Sequence, residues 1–133
     1  MYEMYRVFCA LPGEFGEERL GFYDAVGEFN GTVGMPRGIL FVPVVVSSAR
    51  RAASPLDVNA NIRASSFYIE VLAEDSKPVE RNRRLGYRLA EECRTDPALP
   101  MREVAVVREG ADFSDLAGFK QRVRGLLSDW IPQ

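Results

Sequence analysis

Histidine is absent from this chain of 133 residues. Its absence removes Ser-His-Asp triads, Cys-His dyads and histidine-based metal sites together, and with them the usual general base near neutral pH. Cysteine is scarce: Cys9 and Cys93 stand alone, too far apart in sequence and too few for a zinc signature. Both are expected to be reduced, buried thiols of a cytoplasmic protein. No cofactor and no metal site is expected. A long apolar run is also missing. The opening segment from Met1 to Leu11 is short and carries Arg6 within its apolar stretch. It reads neither as a signal peptide nor as a membrane span, so no membrane partner is expected. An excess of positive charge is lacking too, with 17 basic against 19 acidic residues. Non-specific nucleic-acid binding, which rests on phosphate neutralisation, is therefore not expected. Lysine is nearly missing: only Lys77 and Lys120 are present, and the other basic residues are arginines. The bias reads first as composition, with bidentate anion contacts as the functional alternative.

What is present is the material of one globular α/β domain spanning residues 1–133. Apolar residues make up 47% and charged residues 27%, enough to build a core without disulfide or metal staples. Arg6 to Leu11 reads as a buried strand closed by Pro12-Gly13. Glu14 to Asn30 reads as a helix, with Phe15, Phe22, Val26 and Phe29 on one face and Asn30-Gly31 at its end. A glycine-rich connection from Gly31 to Gly38 leads into Ile39 to Val46, the strongest strand signal in the chain. Pro43 inside it cannot donate to a ladder and assigns it to a sheet edge or a bulge.

Ser54-Pro55-Leu56-Asp57 reads as a helix opening with Ser54 as N-cap, for a short helix to about Ala64. Ser66 to Ala73 is a third strand, Glu74 to Pro78 a turn, and Val79 to Arg94 a helix with Leu85, Leu89 and Cys93 on one side. Glu103 to Val107 is a fourth strand. Ser114 is expected to cap the last helix, whose apolar positions run from Leu116 to Trp130 at helical spacing.

Strict alternation of strand and helix predicts a mostly parallel sheet sandwiched by helices. With Pro43 placing the second strand at an edge, the expected order is 2-1-3-4, a short flavodoxin-like sheet. Ligands on such sheets bind beyond the carboxyl ends of the strands, where the order reverses. In this chain that crevice is bordered by Ala10 to Glu17 and by Glu74 to Glu80. The candidate ligand-binding residues are Ala10, Leu11, Pro12, Gly13, Glu14, Glu74, Asp75 and Arg84. Three carboxylates in the first loop (Glu14, Glu17, Glu18) oppose an anion, so a flavin- or P-loop-type phosphate site is a poor reading. The loop reads first as a tight turn whose acids complement the helix dipole, with a neutral or cationic ligand portion such as a ribose or a nicotinamide ring as the alternative. Glu74-Asp75 has no acidic pair after the first strand to complete the Mg²⁺ site of a phosphorylated receiver domain. Arg81, Arg84 and Arg88 lie at helical spacing and read as an anion-binding face or, more simply, as a solvated surface with Glu80-Arg84 and Arg88-Glu92 pairs. Arg50 and Arg51 after the edge strand read first as a pair that solubilises a loop and blunts an edge, with contact to a phosphate or a partner protein as the alternative.

Tyr5 to Arg19, with its strand ending in Ala-Leu-Pro-Gly and its helix opening with Glu-Glu-Arg, resembles the start of an uncharacterised family related to TIR (Toll/interleukin-1 receptor) domains. Val58 to Leu72, where Ile62-Arg63 precedes a strand, is similar to that family's second landmark. Gly86-Tyr-Arg-Leu-Ala90 is similar to its third. The resemblance implies a flavodoxin-like fold and a role in nucleotide recognition or signalling, often in bacterial stress or defence systems. Some TIR domains cleave NAD with a helix-borne glutamate, and others only assemble with partners. Here Gly86 aligns where that glutamate would stand, and Ser66 replaces the acid that often precedes the third strand's aromatic residue. Three expectations follow: a non-catalytic module that binds a nucleotide-like molecule or a protein partner, an NAD- or nucleotide-processing hydrolase with Glu80 as catalytic carboxylate, or a structural homo-oligomerisation module.

Overall fold

A computed structural model describes residues 1–12, 15–47, 55–74 and 85–132. Among these residues four strands, β1 (Glu3–Leu11), β2 (Ile39–Ser47), β3 (Phe67–Leu72) and β4 (Glu103–Arg108), alternate with four α-helices, α1 (Gly16–Phe29), α2 (Pro55–Arg63), α3 (Leu85–Thr95) and α4 (Leu116–Trp130). The strands form one sheet in the order β2-β1-β3-β4, and every neighbouring pair is parallel. This is the expected arrangement, with the Pro43 strand at the edge.

The strands read as near-continuous apolar runs because both faces are covered. All six β3 residues are buried. On one face, Val7, Cys9 and Leu11 of β1 join Phe22, Ala25 and Val26 of α1 and Phe119, Val123 and Leu127 of α4. On the other, Phe8 of β1 and Tyr68 of β3 pack with Ile62 of α2 and with Ala90 and Cys93 of α3. One ring stack marks each layer. Phe67 lies on Trp130 at 4.6 Å and 6°, and Phe8 lies on Tyr68 at 5.4 Å and 7°. Such pairs add about 1 kcal/mol beyond the area they bury.

Several boundaries differ from the sequence expectation. The first strand begins at Glu3, three residues early, because Met4 and Tyr5 can pair with β2 although they lie outside the apolar run. After Phe29 the chain does not open into a glycine loop. It widens into a π-helical turn over Asn30–Gly34, tightens to a 3₁₀ turn over Met35–Arg37, and reverses at Gly38, whose φ is 77°. Asn30 itself is still helical. Ser114 does not cap α4. Asp115 does, its side chain accepting the Gly118 N–H at 2.7 Å. The expected N-cap Ser54, the Arg50-Arg51 pair and the segment from Val79 to Arg84 lie outside the described residues.

The two edges of the sheet are treated differently. On β2, the Asn30 side chain binds both main-chain groups of Phe41, and Pro43 has no N–H to offer. On β4, Asp112 brackets Arg108, its Oδ2 accepting the Arg108 N–H at 2.7 Å and its own N–H donating to the Arg108 carbonyl at 2.8 Å, but among the described residues no hydrogen bond other than those to β3 reaches Glu103 to Val107.

Candidate functional site

The sheet order reverses between β1 and β3, so their carboxyl ends border the crevice where ligands of open parallel sheets bind. On the α2/α3 side of that crevice lies Glu70, paired in register with Ala10 of β1 and Val106 of β4. It is 1% exposed. The Tyr68 hydroxyl, two residues back on the same strand and hence on the same face, donates to Glu70 Oε1 at 2.8 Å. A carboxylate in the centre of a doubly covered sheet is costly unless hydrogen-bonded, and this pairing partly offsets the cost.

The neighbours fit this pair closely. Gly86, in the first turn of α3, stands over Tyr68: a Cβ there would come within 2.9 Å of the phenolic oxygen and 3.5 Å of Ile62 Cδ1. The absence of a side chain at Gly86 lets α3 settle onto the hydroxyl that orients Glu70. Ala10, small and half-buried, lies beside the carboxylate. Cys9, next to it in β1, is fully buried. Burial pushes its thiol well above the usual range, and the Glu70 carboxylate adds to that shift. Cys9 is therefore a neutral core thiol. The Cys93 thiol is also raised by burial.

Among the residues expected at the site, Ala10 borders the crevice. Leu11 does not offer its side chain, which is 3% exposed and belongs to the α1/α4 core. The strand alternation that turns Ala10 to one face turns Leu11 to the other. Pro12 is buried, and its carbonyl accepts the Phe15 N–H. Glu74 is exposed beyond the end of β3, and its N–H donates to Glu109 Oε1 at 3.0 Å. Gly110 turns at φ 91° against the Glu74 carboxyl group. Gly13, Glu14, Asp75, Arg84 and the proposed catalytic Glu80 lie outside the described residues.

Glu70 and Tyr68 were not among the expected site residues. The signal was one acid in the otherwise apolar run Phe67-Tyr-Ile-Glu-Val-Leu72, in a strand that the predicted order makes internal. Among the described residues no group of three or more His, Cys, Asp or Glu could hold a metal ion. Nor is any helix among them long and apolar enough to cross a membrane.

Comparison with protein-family models, with curated proteins and with solved structures finds no match to this chain.

Proposed function

We propose that this protein is a binding module that takes a nucleotide-like molecule at the carboxyl ends of β1 and β3. The observation that carries the reading is Glu70, a carboxylate held in the interior of the sheet at its switch point, in place of the apolar residue that packing alone would favour. A carboxylate accepts hydrogen bonds and attracts cations. It suits sugar hydroxyls or a cationic ring rather than a phosphate. Tyr68 fixes its orientation, and Ala10 is its small register neighbour on β1. The resemblance of residues 5–19, 58–72 and 86–90 to TIR-related proteins supports the same ligand class. The role is recognition, with signalling through a partner as its consequence.

The test is mass spectrometry and calorimetry of the purified protein with NAD and common nucleotides, in parallel with Glu70→Gln. The variant keeps the shape and removes the charge. Binding to the natural protein and a loss of about tenfold or more in the variant supports the reading. Absence of binding by every nucleotide, or equal binding by both proteins, overturns it. A cleaved product would replace recognition by catalysis.

A further inference from the structure

The β4 edge, bracketed by Asp112 at Arg108 but open from Glu103 to Val107, runs beside the exposed flank of α4. α4 packs on α1 through one side: Leu116 meets Gly21, and Lys120 and Arg124 bind Glu28 at 3.0 Å each. The opposite flank, about half a turn around the helix, carries Gly118, Arg122, Gly125 and Asp129. The helix lies on the side of the sheet where Ala105 and Val107 of β4 join its Phe119 and Val123 in the core. At the amino end of that strand, Asp129 and Trp130 line an open concavity of about 430 Å³ with Phe67, Arg102 and Glu103. Just past its carboxyl end, Arg122 and Gly125 line a second, of about 310 Å³, with Asp112. Arg122 and Asp129 are both exposed and form no ion pair within the described residues.

We propose that this surface docks a second copy of the chain. The two β4 strands lie antiparallel about a two-fold axis normal to the sheets, making one continuous sheet of both copies. Three observations choose that occupant. First, the other edge of the sheet is closed by Asn30 and Pro43, whereas β4 keeps an apolar centre, Val104-Ala-Val-Val107, with no proline and no lysine to repel a strand. Second, the charges are self-complementary. A two-fold axis crossing the flank midway between Arg122 and Asp129 sets Arg122 of each copy against Asp129 of the other, twice. Third, the two elements agree on where the axis passes. Asp129 stands level with Glu103, and Arg122 lies toward the far end of β4, so the midpoint of the helix pair falls over the middle of the strand. Gly125 at that midpoint has open space where a side chain would stand, which lets the helices approach.

The test is sedimentation equilibrium of the full chain with Arg122→Asp, Asp129→Arg and the double exchange. The natural protein is expected to dimerise, and each single reversal to weaken the dimer by about tenfold or more through facing like charges. The double exchange is expected to restore it. Circular dichroism melts establish that all four proteins fold, since both positions are exposed. A protein that is monomeric throughout, or a dimer indifferent to the single reversals or not rescued by the exchange, overturns the proposal. Capture of a different protein by the same flank would likewise exclude a second copy as its occupant.

Discussion

Asn30 brackets Phe41: its Nδ2–H donates to the Phe41 carbonyl at 2.8 Å, and its Oδ1 accepts the Phe41 N–H at 2.9 Å. One carboxamide thus replaces the neighbouring strand that an edge residue lacks. It reaches β2 because α1 continues into a π-helical turn that swings residue 30 beside the edge. The same turn brings Gly34 close enough that a Cβ there would lie 2.8 Å from the Ile39 carbonyl oxygen.

Replacing Asn30 by alanine leaves two buried main-chain groups unpaired. A loss of about 2–4 kcal/mol is expected, measured as a lower urea midpoint. The variant should also aggregate more readily, because its edge strand is opened. Asn30→Asp retains the acceptor and loses the donor, so it should fall short of full stability as well. A melt unchanged by either substitution would contradict the bracketing role.

Two glycines make opposite predictions from similar distances. A methyl group at Gly34 meets the Ile39 backbone, which cannot yield without disturbing β2, so Gly34→Ala should cost about 1–3 kcal/mol. A methyl group at Gly21 meets Leu116 Cδ1 at 2.7 Å, the tip of a half-buried side chain that can turn aside. There the helix-propensity gain of about 1 kcal/mol offsets the contact, and Gly21→Ala should be near neutral. Thermal melts of the two variants side by side decide the matter.

Gly86→Val should displace Tyr68 from Glu70, because β-carbon and hydroxyl cannot share the space. A loss of about 1–3 kcal/mol is expected, together with weakened nucleotide binding. Tyr68→Phe removes the same hydrogen bond without crowding α3. If the hydroxyl orients the carboxylate, both variants weaken binding, while only the first strains the helix. Calorimetry and melts separate these effects.

The buried Cys9 thiol gives a pH dependence at the alkaline end. Its pKa is raised in the folded chain, so the native state holds its proton where the unfolded state has released it. Stability is therefore unaffected below the ordinary thiol value of 9.0 and falls above it, by up to about 1.4 kcal/mol per pH unit. Cys9→Ala should flatten that alkaline decline. Urea titrations at a series of pH values from 7 upward measure the difference.

Trp130 closes the lower end of the core by stacking on Phe67. As the chain's single tryptophan, it reports both folding and the β4 flank by fluorescence. Trp130→Phe keeps a ring on Phe67 and should cost less than about 1.5 kcal/mol, whereas Trp130→Ala should cost about 2 kcal/mol or more. Equal losses would show that stacking adds nothing at this position.

The sequence by itself determined the alternation of elements and, through Pro43, which strand lies outermost. Periodicity and the missing proline N–H are local properties, and they survive without any knowledge of partners. Helix ends were less legible. Ser114 and Asp115 are both good caps, and only the direction in which the chain leaves Phe113 put Asp115 within reach of the Gly118 N–H. The Asn30–Phe41 bracket, the seating of Gly86 over Tyr68 and which core each face of β1 joins were decided by tertiary structure alone. Each depends on distances between segments far apart in sequence or on which face a neighbour covers. Residue type fixes what a side chain can bond, but only the packed chain fixes what it meets.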